Sequence, residues 1–158
     1  MIPEFEKLNN TEIELMLKAP LLVCILIAGA DDHIDRRELK KAVELIGARQ
    51  RKVKNYPLSG YYDLVVEDIE DKLKVVIQNY PVDTARRNAL IVEDLKRLNA
   101  LLPKIKSPWA IAFYQSIKKL AKGVAESSGG LLGIKSVGEE EARLVDLAMV
   151  TDPSSYTR

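Results

Sequence analysis

Apolar positions recur along most of the chain three and four residues apart, which is the period of an amphipathic helix. Strict alternation of apolar and polar residues, the pattern of a half-buried strand, is nearly absent. We therefore expect an all-α protein, a single-domain helical bundle of about six to seven helices spanning residues 1–158. The apolar stripes predict helices over about 11–28, 35–57, 59–80, 83–102, 107–124 and 138–150.

Capping residues and prolines set the expected helix ends. Thr11 and Glu14 have the spacing of a capping box, in which each side chain satisfies a free backbone N–H of the first turn. Asp83 is placed to cap the start of the fourth helix. Pro20 falls inside the first helix, where it should either kink the helix or mark its true first turn.

Residues 19–30 form the longest apolar run of the chain, APLLVCILIAGA. Since a membrane span needs about 20 apolar residues, this run predicts a buried central helix instead. Acidic residues precede it where a signal peptide needs basic ones, so we expect a cytoplasmic protein. Cys24 lies within the run, and a buried, inert thiol is expected there.

The overall charge of +1 gives no field that would favour nucleic acid or anionic lipid. Locally the charges are segregated: residues 36–54 hold eight basic and two acidic residues, whereas residues 63–71 hold five acidic and no basic residues. The two segments could pair across an antiparallel hairpin, or the basic helix could bind phosphate or an acidic partner. Solvated charged faces are common on helices, which favours the first interpretation.

An acidic turn, ADDHIDRRE, follows the apolar run. An EF-hand register would place Ile27 and Gly29 where calcium needs oxygen ligands, so that motif is excluded. Three carboxylates of the turn could still reach a common point and hold a hard divalent ion. Their residues are Asp31, Asp35 and Glu38. A capping box explains the last two equally well.

Two later segments also bear on whether the chain binds a ligand or a cation. Residues 127–136 carry glycines and a Lys-Ser pair, but Ile134 replaces the second glycine of a phosphate-binding loop, and a helix rather than a strand precedes it. Residues 137–141, VGEEE, repeat the design of 34–38, IDRRE, with Glu141 matching Glu38. Two such helix starts side by side would gather carboxylates around a cation, or arginine side chains could neutralise them instead.

Residues 28–39 (AGADDHIDRREL) and 125–147 resemble the N-terminal and C-terminal signatures of the TerB-like family, named for a tellurite-resistance protein. The resemblance implies an all-helical domain in which acidic residues from both signatures share a divalent-metal site. The matching positions are Asp31, Asp35, Glu38 and Glu141. The chain departs from the family pattern at Asp32, where glycine is common, and at Gly138, where a serine or aspartate cap is usual.

The family is linked to stress responses and to modules of larger assemblies, without established catalytic residues. We therefore expect a non-enzymatic, TerB-like module that binds calcium or magnesium and whose partners are other proteins of a stress-related assembly. The alternative is an interaction domain without metal, whose basic helix 36–54 contacts an acidic partner. A hydrolase is disfavoured because the lone histidine, His33, supports no nucleophile.

Overall fold

The computed structural model describes residues 2–28, 36–52, 57–127 and 143–156. Within these ranges the chain forms seven α-helices and no strand, which confirms the predicted all-α bundle. Short 3₁₀ turns cover Pro3–Phe5, Leu102–Lys104 and Pro153–Ser155. The helices are α1 Asn10–Ala28, α2 Arg36–Lys52, α3 Ser59–Val66, α4 Ile69–Gln78, α5 Thr84–Lys96, α6 Leu98–Leu101 and α7 Ser107–Ser127.

Helix α1 is the centre of the bundle. Helices α2, α3, α4, α5 and α7 all pack against it, and every residue from Ala19 to Ala28 is buried. The apolar run is therefore a core helix, as predicted, and Pro20 lies inside it without ending it. Burial also raises the pKa of the Cys24 thiol, which suppresses the thiolate form that a nucleophile needs. Among the described helices, none has both the length and the apolar composition that a membrane span requires.

The start of α1 differs from the expectation by two residues. The reciprocal capping box is formed by Asn9 and Glu12: Glu12 N donates to Asn9 Oδ1 at 2.8 Å, and Asn9 N donates to Glu12 Oε1 at 3.0 Å. The predicted Thr11–Glu14 box was wrong because Asn9 offers an equally good cap two residues earlier. Lys104 adds an ion pair to Glu12 at 2.8 Å, and this contact lowers the pKa of the Glu12 carboxyl.

The single helix expected over residues 59–80 is two helices. Glu67 is extended, and Asp68 adopts left-handed angles, φ 52° and ψ 37°, so the chain turns between α3 and α4. Aspartate is among the few non-glycine residues that tolerate this region. The apolar spacing from Val65 to Ile69 fits a continuous helix, so periodicity could not reveal the break.

The later helices follow the expected order with one interruption. Asp83 caps α5, accepting a hydrogen bond from Arg86 N at 3.0 Å, as predicted. The helix expected to continue to residue 102 is interrupted at Arg97 and resumes as the short α6. Helix α7 begins at Ser107 as expected.

The last predicted helix, 138–150, lies partly outside the described residues. Its described end contains a turn at the buried Leu147, where φ is 51°. Asn99 of α6 anchors this segment: its Nδ2 donates to Met149 O at 2.9 Å, and its Oδ1 accepts from Thr151 N at 2.8 Å. Asn99 thus helps to hold the C-terminal segment on the bundle, together with the buried Leu147, Val150 and Pro153.

An aromatic cluster fills one part of the core. The rings of Trp109 and Phe113 stack 5.8 Å apart, and Phe5 and Tyr61 meet Trp109 edge-on at 5.6 and 5.4 Å. The polar atoms of the cluster are satisfied, since Tyr61 donates to Met16 O at 2.5 Å and the Trp109 indole donates to the carbonyl of residue 57 at 3.0 Å. Four chain segments are therefore joined at this point.

Candidate functional site

A groove of about 670 Å³ opens on the surface between α1, α4 and α5. Helices α4 and α5 pack more extensively against α1 than against each other. Helix α1 therefore forms the floor of the groove, and α4 and α5 form its two walls. The volume lies within the range of natural ligand pockets, about 300–1,000 Å³.

The groove is lined mainly by aliphatic side chains. Leu17 and Leu21 come from α1, Val75 and Val76 from α4, and Leu90 from α5. Val75 and Leu90 remain 55% and 46% exposed. Only one other large apolar side chain of the described ranges is comparably exposed, Val82 at 94%, and it lies outside the groove. Of the three large apolar side chains that are exposed in the described ranges, two therefore face one concave surface.

A hydrogen bond links the two walls. The hydroxyl of Tyr80, just after α4, donates to Asp94 Oδ2 on α5. Burial, followed by the neighbouring Asp94 carboxylate, raises the pKa of the Tyr80 hydroxyl, so it stays protonated at neutral pH. Arg97 Nη1 lies 3.6 Å from the other oxygen of Asp94. These contacts hold the walls together at the position of Tyr80.

A second polar group of the lining is also occupied by the protein. Lys72 Nζ donates to Leu64 O at 2.8 Å, which ties α4 back to α3 across the break at Asp68. Glu14 and Asp71, in contrast, are exposed at the groove. The groove therefore offers an apolar surface with carboxylates at its edge. Lys18 also lines the groove, whereas Lys72, Tyr80 and Asp94 already have intramolecular partners.

The predicted metal ligands fall outside what the structure describes. Asp31, Asp35 and Glu141 lie outside the described ranges, and the side chain of Glu38, on α2, is also not described. Among the described side chains, no group of three or more carboxylate, imidazole or thiol ligands could hold a metal ion. The calcium or magnesium site at these four residues therefore stays a prediction.

Adding calcium or magnesium at about ten times its dissociation constant should stabilise the folded chain by about 1.4 kcal/mol if that site exists. The reason is mass action, since the ion binds the folded state alone. Melting temperature and calorimetry measure the effect. A double variant, Asp35→Asn with Glu141→Gln, should abolish it, whereas Asp71→Asn should not. A melting temperature that neither ion moves, with no heat of binding, would contradict the prediction.

Helices α2 and α3, which carry parts of the two charged segments, pack against each other, but no ion pair joins their described side chains. The hydrogen bond that joins them is between Gln50 Nε2 on α2 and Asp63 Oδ1 on α3, at 2.9 Å. Four further carboxylates of the acidic segment are exposed and make no ion pair with any described residue: Glu67, Asp68, Glu70 and Asp71. On α2, Lys40, Arg51 and Lys52 are exposed, so a basic surface is available. Its acidic partner stays a prediction.

Sequence reasoning did not find the groove, although a signal for it is present. Val75 and Leu90 each stand one position before a core residue, Val76 and Ile91, and so extend the apolar stripe of their helix sideways. When an apolar stripe is wider than one neighbouring helix can cover, the uncovered part is available to contact a second partner.

No protein-family model, no curated protein and no solved structure matches the chain. The conclusions on function therefore depend on the chemistry of the groove and on the sequence itself.

Proposed function

We propose that this chain is a non-enzymatic helical binding domain, and that its α1–α4–α5 groove receives the apolar face of a helix from a partner protein. The observation that carries the proposal is the exposure of Val75 and Leu90 on one concave, aliphatic surface. Contiguous exposed apolar surface of this kind marks interaction sites in soluble proteins.

The dimensions of the groove suit a helix. Its lining runs from Glu14 to Leu21 on α1 and from Asp71 on α4 to Asn79, the residue that caps the end of α4. At 1.5 Å per residue these stretches are about 10 and 12 Å long, which is about two helical turns. An amphipathic helix would insert residues at i, i+3 or i+4, and i+7 along this length.

The polar groups of the groove favour an apolar helix face over a small polar ligand. Tyr80 and Asp94 bond to each other, and Lys72 bonds to a backbone carbonyl. A small ligand in a typical pocket is oriented by a few convergent polar groups. Here those groups would first have to release their intramolecular partners, whereas an aliphatic surface can bury leucine side chains directly.

The TerB-like resemblance supports a role of this kind, because it implies a helical module that works within a larger assembly. The stress-related setting stays part of the proposal. The resemblance rests on residues 28–39 and 125–147, whereas the groove rests on α1, α4 and α5, so the two lines of support are independent.

Binding of a designed amphipathic peptide tests the groove. The peptide is about 15 residues long, with leucine at i, i+3, i+4 and i+7 and glutamine at the other positions. The double variant Val75→Asp with Leu90→Asp should weaken binding at least about tenfold, since burying one such side chain is worth about 1.5–3 kcal/mol. Fluorescence anisotropy of the labelled peptide measures the change.

Val82→Asp is the matched control, because Val82 is equally apolar, is exposed and lies outside the groove. It should bind the peptide like the parent chain. Circular dichroism melts of all variants check that they fold. The proposal is wrong if the peptide shows no saturable binding, if the groove variant binds like the control, or if a small apolar fluorophore occupies the groove and the peptide does not.

A further inference from the structure

The two walls of the groove differ in charge. From Asp63 to Asn79, which includes α4, the chain has five acidic and two basic residues. One of the two bases, Lys72, is held by Leu64 O. Asp71 lies in the groove lining itself and is exposed, with Glu70 beside it on the same helix. The α4 wall is therefore an acidic edge on an apolar surface.

The α5 wall carries charges that satisfy one another. Lys96 pairs with Glu93 at 3.2 Å, and Arg97 pairs with Asp94 at 3.6 Å. Asp83 is engaged in capping the helix. Arg86 remains as an exposed cation near the start of α5, and it does not line the groove. On the α1 floor, Glu14 and Lys18 both line the groove and offset each other. The field at the groove is therefore negative towards α4 and close to balanced towards α1 and α5.

Resting on the proposed function, we infer that the helix this groove receives is cationic on one flank, with lysine or arginine beside its apolar stripe. The apolar stripe contacts Leu17, Leu21, Val75 and Leu90, and the basic flank lies over Asp71 and Glu70. Charge complementarity of this kind fixes the orientation of a partner and speeds its association. An acidic flank on the α4 side would meet like charges and be rejected.

The chain itself contains a basic amphipathic helix, α2, but that helix is not available to a second copy. Its apolar residues Ala42 and Ile46 are 1% and 0% exposed, because they pack into the core of their own bundle. A second copy therefore cannot supply α2 to the groove, and we infer a partner of different sequence. Concentration-dependent self-association in sedimentation would contradict this conclusion.

Three designed peptides test the inference. They share one leucine stripe and carry lysine, glutamine or glutamate on one flank. We expect affinity to fall in that order and the lysine peptide to weaken as salt is added. The variant Asp71→Lys should weaken binding of the lysine peptide about three- to tenfold, as expected for reversing a charge in partly exposed pairs, and should strengthen binding of the glutamate peptide.

Opposite changes for the two peptides cannot come from misfolding, which would weaken both. Glu126→Lys, the same charge change at an exposed site on α7, serves as the control and should leave the order of affinities unchanged. Equal binding of all three peptides would overturn the inference and leave the proposed function standing. If no peptide binds, the proposed function itself fails.

Discussion

Replacing Phe113 by alanine should lower the free energy of unfolding by about 3–5 kcal/mol. The Phe113 ring is 0% exposed and stacks on Trp109, with Tyr61 edge-on at 5.7 Å. Removing the ring takes away its buried apolar area and its aromatic contacts, and leaves a cavity that the rigid neighbours cannot fill. A typical domain has a free energy of unfolding of only about 5–15 kcal/mol, so the variant should be close to unfolding.

Urea unfolding followed by circular dichroism measures this change. Trp109 gives an independent signal, because it is the only tryptophan of the chain and is 3% exposed. Its fluorescence should shift on unfolding at the same urea concentration as the circular dichroism signal. Val82→Ala, at an exposed site, should change stability by no more than about 0.5 kcal/mol. A loss below about 1 kcal/mol for Phe113→Ala would show that the aromatic cluster is not packed as described.

The second large effect is a loss of stability at alkaline pH. Tyr61 and Tyr62 are fully buried, and burial raises the pKa of both hydroxyls. For Tyr62 the pKa rises to about 12, even though the hydrogen bond with Ser116 and the charge of Arg49 act in the opposite direction. An unfolded tyrosine ionises near pH 10. The folded state therefore holds its protons to higher pH than the unfolded state does.

The direction of the pH effect follows from this difference. Below about pH 10 both states are protonated, so these tyrosines add no pH dependence. Between about pH 10 and about pH 12 the unfolded chain loses protons first, and the free energy of unfolding falls. Tyr62 alone accounts for about 2–3 kcal/mol of this loss, at about 1.4 kcal/mol per pKa unit, and Tyr61 adds to it in the same direction.

Urea midpoints from about pH 8 to about pH 12 test this expectation. Near-ultraviolet absorbance of tyrosinate, recorded on the same samples, should rise together with unfolding. Tyr62→Phe should flatten the curve, because it removes one ionisable group, although the variant loses the 2.5 Å hydrogen bond with Ser116. The expectation fails if all six tyrosines ionise near pH 10 while the chain stays folded.

The helix positions were largely predictable because helix periodicity and capping are local properties of the chain. Asp83, Ser107 and the apolar run at 19–28 marked their elements correctly. The errors arose where two local signals competed. Asn9 rather than Thr11 caps α1, and the helical spacing of Val65 and Ile69 gave no indication of the turn at Asp68.

The candidate site was less predictable for a different reason. The sequence pointed to carboxylates at Asp31, Asp35, Glu38 and Glu141, where motif and charge patterns stand out, and that site remains to be tested. The groove has no motif. It depends on Val75 and Leu90, which are ordinary aliphatic residues in sequence and become informative only when their exposure is known.

The sequence by itself determined that the chain is helical, that residues 19–28 are buried and that charge is segregated along the chain, because these properties depend on residues a few positions apart. The tertiary structure alone decided which aliphatic faces are covered. Val76 is buried and Val75 is exposed because α1 approaches α4 from one side only. Whether a neighbour covers a side chain depends on segments distant in sequence, and that arrangement created the groove.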